Sequence, residues 1–214
     1  GVKRLIPQQL ILQIISPQKD QLPIFDTVKI LRTNIYSVLG NQKYFHGIWQ
    51  DFCDRNYVYE ILTKEFVTAF RHYLKSRVEN YEGGNILEVG SGNGALSYFL
   101  NKDHDLNVIA TDDMSWNIPV KYPLVIPFDS INKAIEKYTP QIIISSWMQR
   151  HSDWTPIFRK YPFLKEYILI GDPGLVGQPN CWPEVFYNDS RGRVIREYEN
   201  EGFFSEEIIE VKKW

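Results

Sequence analysis

The run Ile86-Leu87-Glu88-Val89-Gly90-Ser91-Gly92-Asn93-Gly94 constrains this chain more than any other segment. A short β-rich stretch leads straight into glycines at alternate positions. Glycine has no Cβ, so the backbone can turn sharply off a strand and let a ligand approach closely. The pattern predicts a helix from Gly94 to Asn101, whose first amides would face the same ligand. Strand, glycine turn and helix open a nucleotide-type α/β domain.

The residues that follow keep this rhythm. Leu106 to Thr111 reads as a second strand, and Leu124 to Pro127 as a weak third. Ser130 to Tyr138 reads as a helix stopped by Pro140. Gln141 to Trp147 contains three consecutive isoleucines, the mark of a strand buried on both faces. Thr155 to Lys165 reads as a helix and Tyr167 to Gly171 as a fifth strand. Alternating strands and helices predict a Rossmann-like, doubly wound, mostly parallel sheet with helices on both faces. In the tail, Arg193 to Glu201 is expected to be helical, and Ile208 to Val211 an antiparallel edge strand.

Residues 1–82 have a different texture and read as a helical extension before a domain of residues 83–214. Pro7 to Ile15 and Asp26 to Val38 are candidate short helices. Tyr57 to Arg77 is the clearest one, because Tyr59, Leu62, Phe66, Ala69, Phe70, Tyr73 and Leu74 recur at helical steps. Two roles are open to this extension: covering one edge of the domain, or also closing over its ligand as a lid.

Composition narrows the function classes. Apolar residues make up 43% of the chain, enough for a sizeable core. The formal charge of -2 carries no basic excess of the kind that marks nucleic-acid binding, so that partner is not favoured. Cys53 and Cys181 are too few for a disulfide framework and lack zinc-site spacing, so no metal is expected and the compartment reads as intracellular, cytoplasmic or nuclear. No apolar run reaches the ~18–20 residues of a membrane span. Gly1 in place of Met reads as a processed or trimmed start.

Two cofactors fit the glycine turn. Gly90, Gly92 and Ala95 satisfy the dinucleotide pattern, and Asp112 lies twenty residues past Gly92, where a carboxylate accepts ribose hydroxyls. Glu88 separates the two. A carboxylate at the end of the strand repels a pyrophosphate and suits a cationic ligand with an ammonium or sulfonium group.

Together with Val108-Ile109-Ala110-Thr111-Asp112, the loop resembles the first two motifs of class I S-adenosylmethionine-dependent methyltransferases. The likeness covers roughly residues 85–171 and says little about substrate. It implies that S-adenosyl-L-methionine is the cofactor and that Gly90, Ser91, Gly92, Asn93 and Gly94 shape the loop around its methionine part. Glu88 would meet the amino group and Asp112 the ribose. Asp113 or Met114 would flank the adenine, and Asp129 matches an acidic position that often meets the adenine amino group. Asp129 reads equally well as the N-cap of the next helix.

The acceptor pocket should form beyond the carboxyl ends of strands four and five. Those segments hold Ser146, Trp147, His151, Asp153, Trp154 and Asp172. His151 is the natural general base, with Asp153 orienting it or acting alone. Trp147, Trp154 and Asp172 would line the acceptor, and Ser146 the cofactor. The Asn/Asp-Pro-Pro-aromatic signature of amino-methylating nucleic-acid enzymes is replaced here by Ser146-Trp147-Met148-Gln149. The resulting expectation is a methyltransferase acting on a protein side chain or small molecule. The alternatives are a non-catalytic module working through a protein partner, or an NAD-linked oxidoreductase, which Glu88 disfavours.

Overall fold

The computed structural model describes residues 62–81, 84–119, 122, 124–171 and 177, the backbone of 192–196 and 210–211, and a few positions between 21 and 55. The chain divides into two compact units, residues 1–68 with 199–206 and residues 69–198 with 207–214. The expected helices at Pro7–Ile15 and, for the most part, Asp26–Val38 lie outside the described residues.

The elements run α1 (Lys64–Asn80), β1 (Ile86–Val89), α2 (Ala95–Asn101), β2 (Val108–Asp112), β3 (Val125–Pro127), α3 (Ile131–Tyr138), β4 (Ile142–Ser146), α4 (Thr155–Phe158), β5 (Glu166–Ile170), β6 (Gly192–Arg196) and β7 (Glu210–Val211). They build one sheet in the order β3-β2-β1-β4-β5-β6-β7. Strands β1 to β5 are all parallel, as the βα alternation predicts. Strand β6 continues parallel to β5, and β7 closes antiparallel on β6.

Register sorts the side chains between the two faces. Glu88 pairs with Ile144, Ile144 with Ile168, and Ile142 with both Ile86 and Glu166, so these residues share one face. Helices α1 and α2 cover it: Ser97 of α2 bonds Glu88, and α1 reaches Glu166. The opposite face carries Leu87, Val89, Ile143, Tyr167 and Leu169, packed with Ala134 and Ile135 of α3 and Phe158 of α4. This is the doubly wound arrangement. Ile142, Ile143 and Ile144 are all buried, as a strand covered on both faces requires, each contributing about 1.5–3 kcal/mol.

Helix α1 is tied to the amino end of β5. Glu166, 0% exposed, accepts from Arg77 Nε at 2.8 Å and from the Tyr81 hydroxyl at 3.0 Å, and Tyr73 also donates to it. Arg77 and Tyr81 bond each other as well. A buried carboxylate demands such partners.

Three elements differ from the sequence-based expectation. Within the expected Tyr57–Arg77 helix, Leu62 and Thr63 are non-helical and α1 starts at Lys64, where Thr63 Oγ1 accepts from the Phe66 amide and caps it; α1 runs past Arg77 to Asn80, and Tyr57 to Ile61 lie outside the described residues. Helix α4 is a single turn ending at Phe158, not a helix to Lys165. Pro162 cannot donate a helical hydrogen bond, and the chain descends by tight turns to β5. In the tail, residues 192–196 form β6, where a helix over Arg193–Glu201 was expected. Pairing with the exposed edge of β5 overrides the local helical pattern there. No helix among the described residues is long and apolar enough to cross a membrane.

Candidate functional site

The strand order reverses between β1 and β4, since β2 and β3 lie to one side of β1 and β4 and β5 to the other. Ligands of open α/β sheets bind at the carboxyl ends beside such a reversal. Gly90 leaves β1 there, and Ser146 and Trp147 leave β4.

The loop glycines all have positive φ, at 66° for Gly90, 57° for Gly92 and 82° for Gly94. Their surroundings differ. A Cβ on Gly94 would lie 2.6 Å from Val125 Cγ2, and one on Gly90 would lie 2.9 Å from Cη2 of Trp154. Among the described residues, one at Gly92 would meet only Ile118 Cδ1, at 3.8 Å. Gly90 and Gly94 are therefore demanded by the protein's own packing. Gly92 is where the loop presents bare backbone to open space.

Asp112, at the end of β2, holds that loop in place. Its Oδ2 accepts from the Gly92 amide and its Oδ1 from the Met114 amide, both at 2.8 Å. Each oxygen keeps a second lone pair for a ligand hydroxyl. Ser91 is buried, and both its amide and its hydroxyl donate to the Thr111 carbonyl at 3.0 Å. Asn93 Oδ1 accepts from the Ala95 amide at 3.0 Å, and its carbonyl accepts from the Tyr122 amide at 3.3 Å. These two side chains build the loop.

Glu88 is 2% exposed, beside the first turn of α2, where the Ser97 hydroxyl donates to its carboxylate. The Thr111 hydroxyl donates to the Glu88 carbonyl at 2.8 Å and fixes the strand end against β2. The carboxylate thus lies at the root of the loop, in a low-dielectric setting where charge acts strongly.

Past β2, Asp113 is exposed and accepts from the Ser115 amide at 2.9 Å, while Met114 is half-buried at φ 60°. Past β3, the cap of α3 is Ser130 and not Asp129: Ser130 Oγ accepts from the Lys133 amide at 3.3 Å. Asp129 is exposed and paired with Lys133 Nζ at 2.7 Å, which holds its carboxyl below the usual aspartate range. The alternation of residues hides this, since either could cap.

Past β4, Ser146 and Trp147 are half-buried, and the Trp147 amide donates to the Ile170 carbonyl at 2.8 Å with φ at 60°. His151 is exposed at φ 67°, and its amide donates to the Gly177 carbonyl at 3.0 Å. Asp153 Oδ1 accepts from Thr155 twice, from the amide at 3.0 Å and the hydroxyl at 2.7 Å. The buried Thr155 hydroxyl in turn accepts from Arg159 Nη1 at 2.9 Å, which also donates to the Tyr167 hydroxyl at 3.2 Å. Asp153 thereby anchors the turn into α4. Asp172 lies outside the described residues.

The structure thus brings together Glu88, Gly90, Gly92, Asp112 and Trp154 around one loop. It also adds side chains that sequence reasoning missed. Ser97 had one available signal: a carboxylate buried in a strand needs a donor, and the next helix supplies one nine residues on. Ser145 had none. It lies one residue beyond the Glu88–Ile144 pair, on the face that carries Val89, and its buried hydroxyl has no hydrogen-bond partner among the described residues. No family profile, curated protein or solved structure matches this chain.

Proposed function

We propose that this chain binds S-adenosyl-L-methionine and transfers its methyl group to a protein side chain or a small molecule. The observation that carries the reading is the buried Glu88 carboxylate at the root of a glycine loop pinned by Asp112. A carboxylate so placed favours a ligand bearing ammonium and sulfonium charge and disfavours a pyrophosphate. Gly92 offers backbone to the ligand, and the spare lone pairs of Asp112 suit ribose hydroxyls. These residues fit the cofactor's groups.

When bound, the cofactor would supply a sulfonium-activated methyl group for an acceptor lone pair, with the neutral thioether as leaving group. The protein's share is alignment and exclusion of water, with Trp147 and Trp154 walling the crevice. In this reading His151 serves as general base where the acceptor must lose a proton. The low cysteine count goes with an intracellular setting.

Calorimetry tests the cofactor claim. S-adenosylmethionine and its demethylated product should bind, and NAD should not; the reverse pattern ends the proposal. A second reading, a non-catalytic module acting through a protein partner, draws on the commitment of Asp153 to Thr155. Incubation with labelled methyl donor and cell extract separates the two. Label entering a fraction supports transfer, and cofactor binding without label in any fraction supports the module.

A further inference from the structure

We propose that Ile118 sets the ligand class of the glycine loop by walling the space over Gly92 against phosphate, an inference that rests on the cofactor reading above. A Cβ on Gly92 would meet Ile118 Cδ1 at 3.8 Å. The tip of the Ile118 side chain therefore borders the space that the bare Gly92 backbone leaves open. Ile118 is half-buried, so part of its apolar surface is still free to touch a ligand.

Two tethers hold Ile118 there. Before it, Asp112 Oδ1 accepts from the Met114 amide at 2.8 Å, and the Asn117 amide donates to the Met114 carbonyl at 3.1 Å, closing a turn that leads out of β2. Met114 and Asn117 both take left-handed backbones for this turn, at φ 60° and 51°. After Ile118, the Tyr122 amide donates to the Asn93 carbonyl at 3.3 Å, and the Tyr122 ring packs on Tyr98 of α2 with centroids 4.7 Å apart. The segment after β2 is thus tied to the glycine loop on both sides of Ile118, through Asp112 and through Asn93.

The loop itself has spent the donors that a phosphate would need. Phosphates bind such turns through backbone amides. Here the Ser91 amide donates to the Thr111 carbonyl at 3.0 Å, and the Gly92 amide to Asp112 Oδ2 at 2.8 Å. The Gly94 amide donates to the Ser91 carbonyl at 3.0 Å, and the Ala95 amide to Asn93 Oδ1 at 3.0 Å. A phosphate over Gly92 would face the Asp112 carboxylate and lose water against an isoleucine methyl group, with the Gly92 amide already taken. An uncharged sugar or thioether carbon has no such charge to desolvate and gains contact with Ile118. The ligand class is therefore a nucleoside whose 5′ substituent is not a phosphate.

Displacement calorimetry on the full chain tests this, with adenosine and AMP competing against the demethylated product of S-adenosylmethionine. Wild type should hold adenosine at least about tenfold tighter than AMP. Ile118→Ala should weaken adenosine and the demethylated product about three- to tenfold. Ile118→Lys, which brings an ammonium group to the wall, should shrink the adenosine-to-AMP preference at least about fivefold, and Ile118→Val should preserve it. That preference is a ratio taken within one variant, so a reduced folded fraction leaves it unchanged. Equal affinity of wild type for adenosine and AMP, or a preference that Ile118→Lys fails to move, overturns the inference; the cofactor reading stands as long as S-adenosylmethionine binds. Should Ile118→Lys not fold, Ile118→Ala decides, and an unchanged affinity for adenosine overturns the inference as well. If wild type binds neither S-adenosylmethionine nor its product, the cofactor reading itself fails.

Discussion

The backbone amide of Gly92 donates to Asp112 Oδ2 at 2.8 Å, so the tip of the glycine loop hangs from the end of the neighbouring strand. Through Oδ1, the same carboxylate also orders the turn at Met114. Asp112 is thus a bracket for the loop before any ligand arrives, and the shape of the loop depends on a side chain twenty residues away.

Replacing that bracket should affect stability and binding together. Asp112→Ala should cost about 1–2 kcal/mol, because it removes an anionic acceptor from two amides. Donor affinity should fall at least about tenfold, the equivalent of ~1.4 kcal/mol. Asp112→Asn retains one good acceptor and should fall between. Urea denaturation and calorimetry on the same samples measure both effects.

The loop glycines should part company under substitution by alanine. Gly94→Ala forces a Cβ to 2.6 Å from Val125 Cγ2 at a φ of 82°, so it should lose about 2–3 kcal/mol of stability. Gly92→Ala has room among the described residues, the nearest lying at 3.8 Å, and bears mainly the backbone cost of about 1 kcal/mol. Its larger effect should be on cofactor affinity, since the methyl enters the space the loop presents. Denaturation midpoints and binding isotherms should rank the two variants in opposite order.

The Glu166 cluster predicts an alkaline signature far from the crevice. Burial, and then the negative charge of Glu166 beside it, raises the Tyr81 phenol above the ordinary tyrosine range. The unfolded phenol ionises first, near pH ~10. The resulting stabilisation is whole below that pH and is lost as pH rises through the higher folded value. The melting-temperature gap between wild type and Tyr81→Phe should therefore shrink above pH ~10. Arg77→Ala, which removes a guanidinium from the buried Glu166, should cost about 3 kcal/mol at neutral pH and leave cofactor affinity unchanged.

Asp153 should behave as an anchor. Asp153→Ala should lose about 1 kcal/mol, and Asp153→Asn should recover most of it, because the amide oxygen can accept from Thr155 in the same turn. Thermal melts of the two variants check this, with an equal loss in both counting against the anchoring role.

Much of the framework was legible in the chain itself. Strands β1, β4 and β5 show as apolar runs followed by turns, because burial on both faces leaves little choice of residue, whereas the exposed edge strand β3 leaves a weaker signal. The failures were local patterns overruled by distant partners. The stretch from Arg193 reads as a helix until the open edge of β5 offers it a strand's hydrogen bonds. Asp129 and Ser130 are indistinguishable as caps until Lys133 takes one of them.

The candidate site divides the same way. The sequence by itself determined that a glycine loop follows the first strand, that a carboxylate precedes it, and that another ends the second strand. Those features follow from spacing along a single segment, where the period of the backbone governs. Only the tertiary structure decided that Asp112 grips Gly92, that Ser97 serves Glu88, and that Trp154 rests on Gly90. Each of these joins segments whose separation is set by strand order and register, and those emerge from packing the whole sheet between its two layers of helices.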